Sequence, residues 1–232
     1  MRTTAHKRLS VIKRGKLTRE RVLAEALVLL DQEGVQALSM RRLAAHLGVT
    51  PMALYNHVGS KRDLLRGIAE IVVDRIHYPD KSDDWREQVQ GCFQALRAAC
   101  LEHPGAVPLI ESADMLPASV FRPMEITLST LRGAGIDSLD ALRAYYLLMT
   151  FTIGQISYQI KGWARGVDSA DAMQRGRIPI EKFPNVSQAS SAVEWDFDAS
   201  FKFGLSIILS GLECKATRLR SRRARTRQSD AR

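Results

Sequence analysis

Between Leu38 and Leu65 the chain reads LSMRRLAAHLGVTPMALYNHVGSKRDLL, and four residues inside it, Gly48-Val49-Thr50-Pro51, narrow the choice of fold more than any other feature. Glycine commonly ends a helix in the left-handed region. Threonine is an N-cap, and proline suits a first helical turn, where its missing N–H costs nothing. With only Val49 between the stop and the next start, two helices must meet across a tight turn. That is the arrangement of a helix-turn-helix, whose second member lies in the major groove of DNA.

The flanking segments fit the same scheme. Thr18 is placed to cap a first helix running to Gln32, with Val22, Leu23, Ala26, Leu27 and Leu30 at helical spacing and Gly34 just past its end. Ser39 caps a second helix in which Leu43 and Leu47 face the core and Arg41 and Arg42 point elsewhere. The third helix starts at Pro51 and is broken by Gly59. Ser60 and Asp63 then resemble a capping box for a fourth, which carries Leu64, Leu65, Ile68, Val72 and Ile76 on one face. The rest of the chain is helical in pattern almost throughout, with no alternating strand signature.

In the third helix Leu54 and Val58 are i,i+4 partners that pin it to Leu43 and Leu47, which leaves its other faces outward. Tyr55, Lys61 and Arg41 suit phosphate oxygens, and Thr50, Met52 and Ala53 at the leading end suit base edges and thymine methyls. Asn56 and His57 are equally able to hydrogen-bond within the domain. Charge points the same way. Residues 1–75 carry a net +7, residues 76–212 a net −4 and residues 213–232 a net +6, so a basic front sits on an acidic body.

The segment from Leu38 to His77, and above all its Leu54-Tyr55-x-His57-Val58-x-x-Lys61-x-x-Leu64 pattern, closely resembles the DNA-binding domain of TetR-family transcriptional repressors. The resemblance implies DNA contacts from Arg41, Thr50, Met52, Ala53, Tyr55, His57 and Lys61. It extends more weakly to His103-Pro104-Gly105-Ala106, to the helix around Ala141 to Gly154 and to FKFGLSIILSGLE (Phe201 to Glu213), which look like the C-terminal domain of the tetracycline-repressor branch. The implied fold is all-α: an N-terminal three-helix DNA-binding domain with a helix-turn-helix and a larger helical domain for ligand binding and dimerisation. The expected boundaries are a basic arm at 1–17, the DNA-binding domain at 18–65, the regulatory domain at 66–214 and a basic disordered tail at 215–232. The implied protein is a homodimeric repressor on a palindromic double-stranded operator, released by a small-molecule inducer. A fourth helix of about 17 residues, roughly 25 Å, would join its domains.

For the dimer, Phe197, Phe201, Leu205, Ile208 and Leu212 form one stripe of the last helix, widened by Phe203 and Ile207. Gly204 and Gly211 would let another helix approach. A helix buried inside one protomer is the alternative. For the inducer, tetracycline-binding members hold a metal-chelated drug with two histidines. His77 stands in the first place, but Val107, Pro108 and Leu109 follow Gly105-Ala106, so the second imidazole is missing. The expected ligand is therefore apolar or aromatic rather than magnesium-tetracycline, with Leu96, Met124, Leu147 and Phe151 as candidate pocket walls beside His77, and no metal or cofactor.

Other functions find less support. The basic start lacks an apolar signal region and no apolar run reaches a membrane-spanning length, so a cytoplasmic protein without membrane partners is expected. Three widely spaced cysteines, Cys92, Cys100 and Cys214, fit buried thiols in a reducing compartment. Cys100 and His103 share a helical face, but nothing completes a nucleophilic or zinc site. There is no phosphate-cradling loop or HExxH, so the protein is expected not to be an enzyme. An inducer-independent architectural or partner-regulated DNA binder is the remaining alternative. Gly166 to Ser191 is expected to be a flexible loop.

Overall fold

A computed structural model describes residues 16–112, 118–160, 180–191 and 196–230, and every regular element among them is helical. The front of the chain forms α1 (Arg19–Glu33), α2 (Met40–Leu47), α3 (Pro51–Tyr55) and α4 (Lys61–Asp74). Each starts on a side-chain hydroxyl that accepts a backbone N–H: Thr18 from Arg21 at 3.3 Å, Ser39 from Arg42 at 3.1 Å, Thr50 from Ala53 at 3.3 Å and Ser60 from Asp63 at 3.0 Å. Gly48 ends α2 at φ 67°, where a side chain would be strained. The Asp63 carboxylate accepts from the Gly59 N–H, one residue earlier than a capping box requires.

The body consists of α5 (Trp85–Glu102), a 3-10 turn at Pro104–Ala106, α6 (Val107–Glu111), a second turn at Ala118–Val120, α7 (Phe121–Gly133), α8 (Ser138–Ile160), a third turn at Ile180–Lys182, α9 (Pro184–Ser191) and α10 (Phe197–Asp230). Here the caps are carboxylates: Asp84 accepts from the Arg86 N–H, Asp137 from Leu139 and Asp140, and Asp196 from Asp198 and Ala199. Helix α5 packs against α7 and α8, and α10 covers α8. One hydrophobic core runs from Val22 in α1 to Ala216 in α10.

Three expectations change. Helix α4 has 14 residues, about 21 Å, because the Arg75 and Ile76 N–H groups turn back to Ile71 and Val73 and close it at Asp74. Ile76 lies past that end yet stays buried. The expected loop at 166–191 contains the third turn and α9, while its residues 166–179 lie outside the described residues. The tail expected to be disordered from Lys215 continues α10 to Asp230, since arginine and alanine are strong helix formers. Residues 1–15 of the expected arm also lie outside the description. Among the described residues no helix is long and apolar enough to cross a membrane.

Front and body are joined twice. Helix α4 runs on against α5 and α6. Separately, the Asp31 carboxylate at the end of α1 is 2.9 Å from Nδ1 of His103 and accepts the Gly105 N–H at 2.9 Å. A Cβ on Gly105 would lie 2.4 Å from the Leu30 carbonyl oxygen, so only glycine lets the turn sit this close to α1.

Candidate nucleic-acid interface

Helix α3 is held from beneath by Leu54 and Val58, both fully buried, as is Leu43 of α2. The Val58 N–H reaches the Leu54 carbonyl at 3.0 Å, which extends one helical turn beyond the element's end and keeps the pair on one side. Leu47 is half-buried beside them. The opposite side carries Met52 at 72% exposure and Tyr55 at 47%, with Thr50, Asn56, Lys61 and Arg41 also exposed. Ala53 is half-buried.

Two neighbouring basic side chains of α2 are already engaged. Arg42 forms a two-pronged pair with Glu33, through Nε at 3.1 Å and through Nη2, and this hydrogen bonding holds the Glu33 carboxyl below its usual range. His46 bonds Glu25 at 2.9 Å. Both pairs tie α2 to α1, which leaves Arg41 as the outward member of the Arg41-Arg42 doublet. His57 is half-buried and lies close enough to Glu20 to help lower its carboxyl pKa, behind the larger effects of that residue's own backbone and of Thr18. His57 is thus less exposed than Tyr55 and Lys61.

The expected dimer stripe turns out to be split. Phe201 and Leu205 are buried inside the protomer, Phe201 stacking on Phe151 of α8 with ring centroids 5.5 Å apart. Ile208 and Leu212 are half-buried. Gly204 serves this packing, since a Cβ there would lie 2.2 Å from the Phe151 ring. The outward apolar residues of α10 are Phe203 and Ile207, at 69% and 59% exposure, and adjacent α8 exposes Tyr146 and Leu147. An all-round apolar helix does not reveal its inner side. Here that side is fixed by Phe151 and by Arg97, whose guanidinium lies 4.9 Å over the Phe201 ring and pairs with Asp198 at 2.7 Å.

The five candidate ligand residues do not converge. His77 is exposed in the link after α4, because the helix stops three residues short of it. Leu147 is on the outer face. Leu96 is buried core, Met124 is half-buried, and Phe151 is committed to Phe201. None of them lines the half-open groove of about 620 Å³ between the link, α5 and α7, whose walls include Pro79, Trp85, Gln88, Ile126 and Thr130. Cys100 and His103 form no pair: the thiol is fully buried and the imidazole is bound to Asp31.

Sequence reasoning overlooked the body's dry polar atoms. The Tyr78 hydroxyl, Ser119 Oγ, Thr152 Oγ1 and Arg97 Nε are buried without a hydrogen-bond partner among the described residues, each such group costing about 1–3 kcal/mol. Burial pushes the Cys92 thiol up to about 11, Cys100 up to about 12 and Tyr145 up to about 12, and raises Tyr78 as well. A tyrosine directly before Pro79, in a stretch otherwise rich in charge, was the available signal.

Comparison with known proteins places this geometry. Residues 22–68 match the family described as bacterial regulatory proteins, tetR family, and residues 78–216 match the tetracyclin repressor-like C-terminal domain. The chain is 32% identical over 208 residues to the class C tetracycline repressor protein of Escherichia coli, covering 86% of this chain and 92% of that one. It is similar in structure to ActR of Streptomyces coelicolor in complex with actinorhodin (TM-score 0.71, 32% identity, 87% of this chain and 99% of that one). It is also similar to BioQ with its double-stranded DNA operator (TM-score 0.61, 26% identity, 86% and 99%).

Proposed function

The chain belongs to the TetR family of bacterial transcriptional regulators, and on that premise we propose that it is a ligand-responsive repressor: a cytoplasmic homodimer that binds a palindromic operator and is released by a small molecule. The observation that carries the reading is α3, anchored by Leu54 and Val58 while its Met52 and Tyr55, with Lys61 at the start of α4, are exposed. In this reading Thr50, Met52 and Ala53 meet base edges, and Tyr55, Lys61 and Arg41 hold phosphates. His57 has the weaker claim, because it is half-buried. Residues 18 to about 65 form the reading head and the remainder the regulatory body.

A palindrome requires two heads about 34 Å apart. The second copy would dock on the outward stripe of α8 and α10, where Tyr146, Leu147, Phe203 and Ile207 lie on two helices already packed together, and would complete a four-helix bundle. A solved relative holds actinorhodin and another holds its operator, which supports one ligand class and one DNA partner for this chain. A compound that binds better to the arrangement with misplaced heads must weaken operator binding by the same factor. Both joints between head and body, α4 and the Asp31–His103–Gly105 contact, would carry that change.

Selection of bound duplexes from a random pool, repeated with candidate aromatic compounds, tests the reading. The expected result is a palindromic consensus whose recovery falls with at least one compound. Asymmetric consensus sites would remove the dimer, and recovery indifferent to every compound that raises the melting temperature would favour an inducer-independent DNA binder. Phe203→Glu combined with Ile207→Glu should halve the mass seen in sedimentation and abolish palindrome binding.

A further inference from the structure

We infer that the Tyr78 hydroxyl, assisted by the Ser119 hydroxyl on the turn packed against α4, is the polar anchor of the small-molecule site, and that its ligand is an uncharged aromatic compound presenting an oxygen acceptor. The inference rests on the reading that the body binds a small molecule, and names the chemistry that it accepts.

Tyr78 follows α4, and the turn carrying Ser119 packs against α4 as well. Arg122, three residues beyond Ser119, places its guanidinium 5.6 Å over the Tyr78 ring, which ties the start of α7 to Tyr78. Both oxygens are buried and neither has a partner among the described residues. A protein interior rarely leaves a buried hydroxyl unbonded, because it forfeits its hydrogen bonds to water. Each is explained if a ligand oxygen reaches it.

The surroundings select the ligand's charge and shape. Tyr78 interacts with Cys92, Cys100 and Tyr145, all kept in their neutral forms by burial, so the phenol is a donor and no inner thiolate or phenolate is available to pair with a cation. The buried guanidinium of the body, on Arg97, is taken by Asp198 and by Gln159 at 2.6 Å, and Arg122 is exposed at the rim. Neither charge is free deep inside to repay the desolvation of a carboxylate. Phe93 and Tyr145, with ring centroids 6.2 Å apart, add aromatic surface. The half-open groove starts beside this place: Pro79, next to Tyr78, and Gln88, one turn before Cys92, line it, although Tyr78 and Ser119 do not.

A matched set of flat probes tests this on the full chain: 9-fluorenone, which offers one ketone acceptor, fluorene, which offers none, and fluorene-9-carboxylate, which adds a charge. Equilibrium titrations of the wild type should show fluorenone binding about tenfold tighter than fluorene, the equivalent of one hydrogen bond, with the carboxylate weaker than both. Tyr78→Phe should bring fluorenone to the affinity of fluorene and leave fluorene unchanged, without lowering the melting temperature, since the deleted hydroxyl has no partner to lose. Ser119→Ala should reduce the preference by less. Equal fluorenone affinity in wild type and Tyr78→Phe, tighter binding of the carboxylate, or no binding of the ketone to the wild type would each overturn the anchor. Operator binding by Tyr78→Phe, measured in parallel, separates the two readings. An operator still bound, and released by some other compound, leaves the regulator standing while the anchor falls; a chain that selects no operator sinks the regulator itself.

Discussion

The head and the body solve the same problem, starting a helix, with different chemistry. All four helices of the head begin on neutral hydroxyls, Thr18, Ser39, Thr50 and Ser60, whereas α5, α8 and α10 begin on Asp84, Asp137 and Asp196. Aspartate caps as well as serine and also favours the positive end of the helix dipole. A region that meets phosphates gains nothing from a carboxylate there. The interiors differ too. In the head the one buried polar atom without a partner, among the described residues, is Nη1 of Arg19, while the body has four. The head is satisfied but for that one nitrogen; the body keeps more unspent polarity.

The largest test of that contrast is Leu54→Ala. The side chain is fully buried beneath α3, so the change should cost about 2–5 kcal/mol in denaturant unfolding and remove operator binding. The three tryptophans, Trp85, Trp163 and Trp195, all lie outside the head, so far-ultraviolet circular dichroism should register the loss before tryptophan fluorescence does. A simultaneous loss in both would mean that head and body unfold as one unit.

Alkali should act in the opposite place. Burial raises the pKa of Cys92 from an ordinary value of 9.0 to about 11 and that of Cys100 to about 12. Between those limits the unfolded chain has released protons that the folded chain retains, so stability falls as pH rises above about 9. The Cys92 thiol alone should cost on the order of 2 kcal/mol by pH 11. The body should therefore melt first at high pH, and Cys92→Ser should flatten the pH dependence; a head that melts first would reverse the assignment.

Gly105→Ala comes next. The added methyl would push the turn off the Leu30 carbonyl and lengthen both bonds to Asp31, at about 1–3 kcal/mol. Asp31→Asn should be milder, retaining the acceptor for Gly105. The smallest effect isolates the caps: Ser39→Asp should change unfolding stability by less than about 0.5 kcal/mol, yet weaken operator binding roughly 2- to 5-fold. Asp137→Ser should leave operator binding unchanged. Equal DNA affinity in wild type and Ser39→Asp would show that the hydroxyl caps carry no electrostatic meaning.

What the sequence revealed divides along the same line. The start of every head helix was legible because a cap is decided within four residues, as at Ser39 and Arg42. Where α4 ends was not, since Ile76 keeps the apolar period although it is buried outside the helix. The inner side of α10 was hidden because Phe201 and Phe203 are equally apolar, and Arg97, more than 100 residues away, decides between them. Asp31, which nothing in the local sequence singles out, acquires its role only when the turn at His103 folds against it. The outward side of α3 was readable from Leu54 and Val58, whereas the candidate pocket walls were chosen for apolarity, a property they share with any core residue.

The contact between Asp31 and the Gly105 turn bears on how such regulators can be recombined. A chimera that grafts this reading head onto another body transplants a carboxylate whose two donors stay behind. Fusing at the α4 junction alone would then yield molecules that fold and bind DNA but respond feebly, until the recipient supplies a histidine and a glycine in register with the graft.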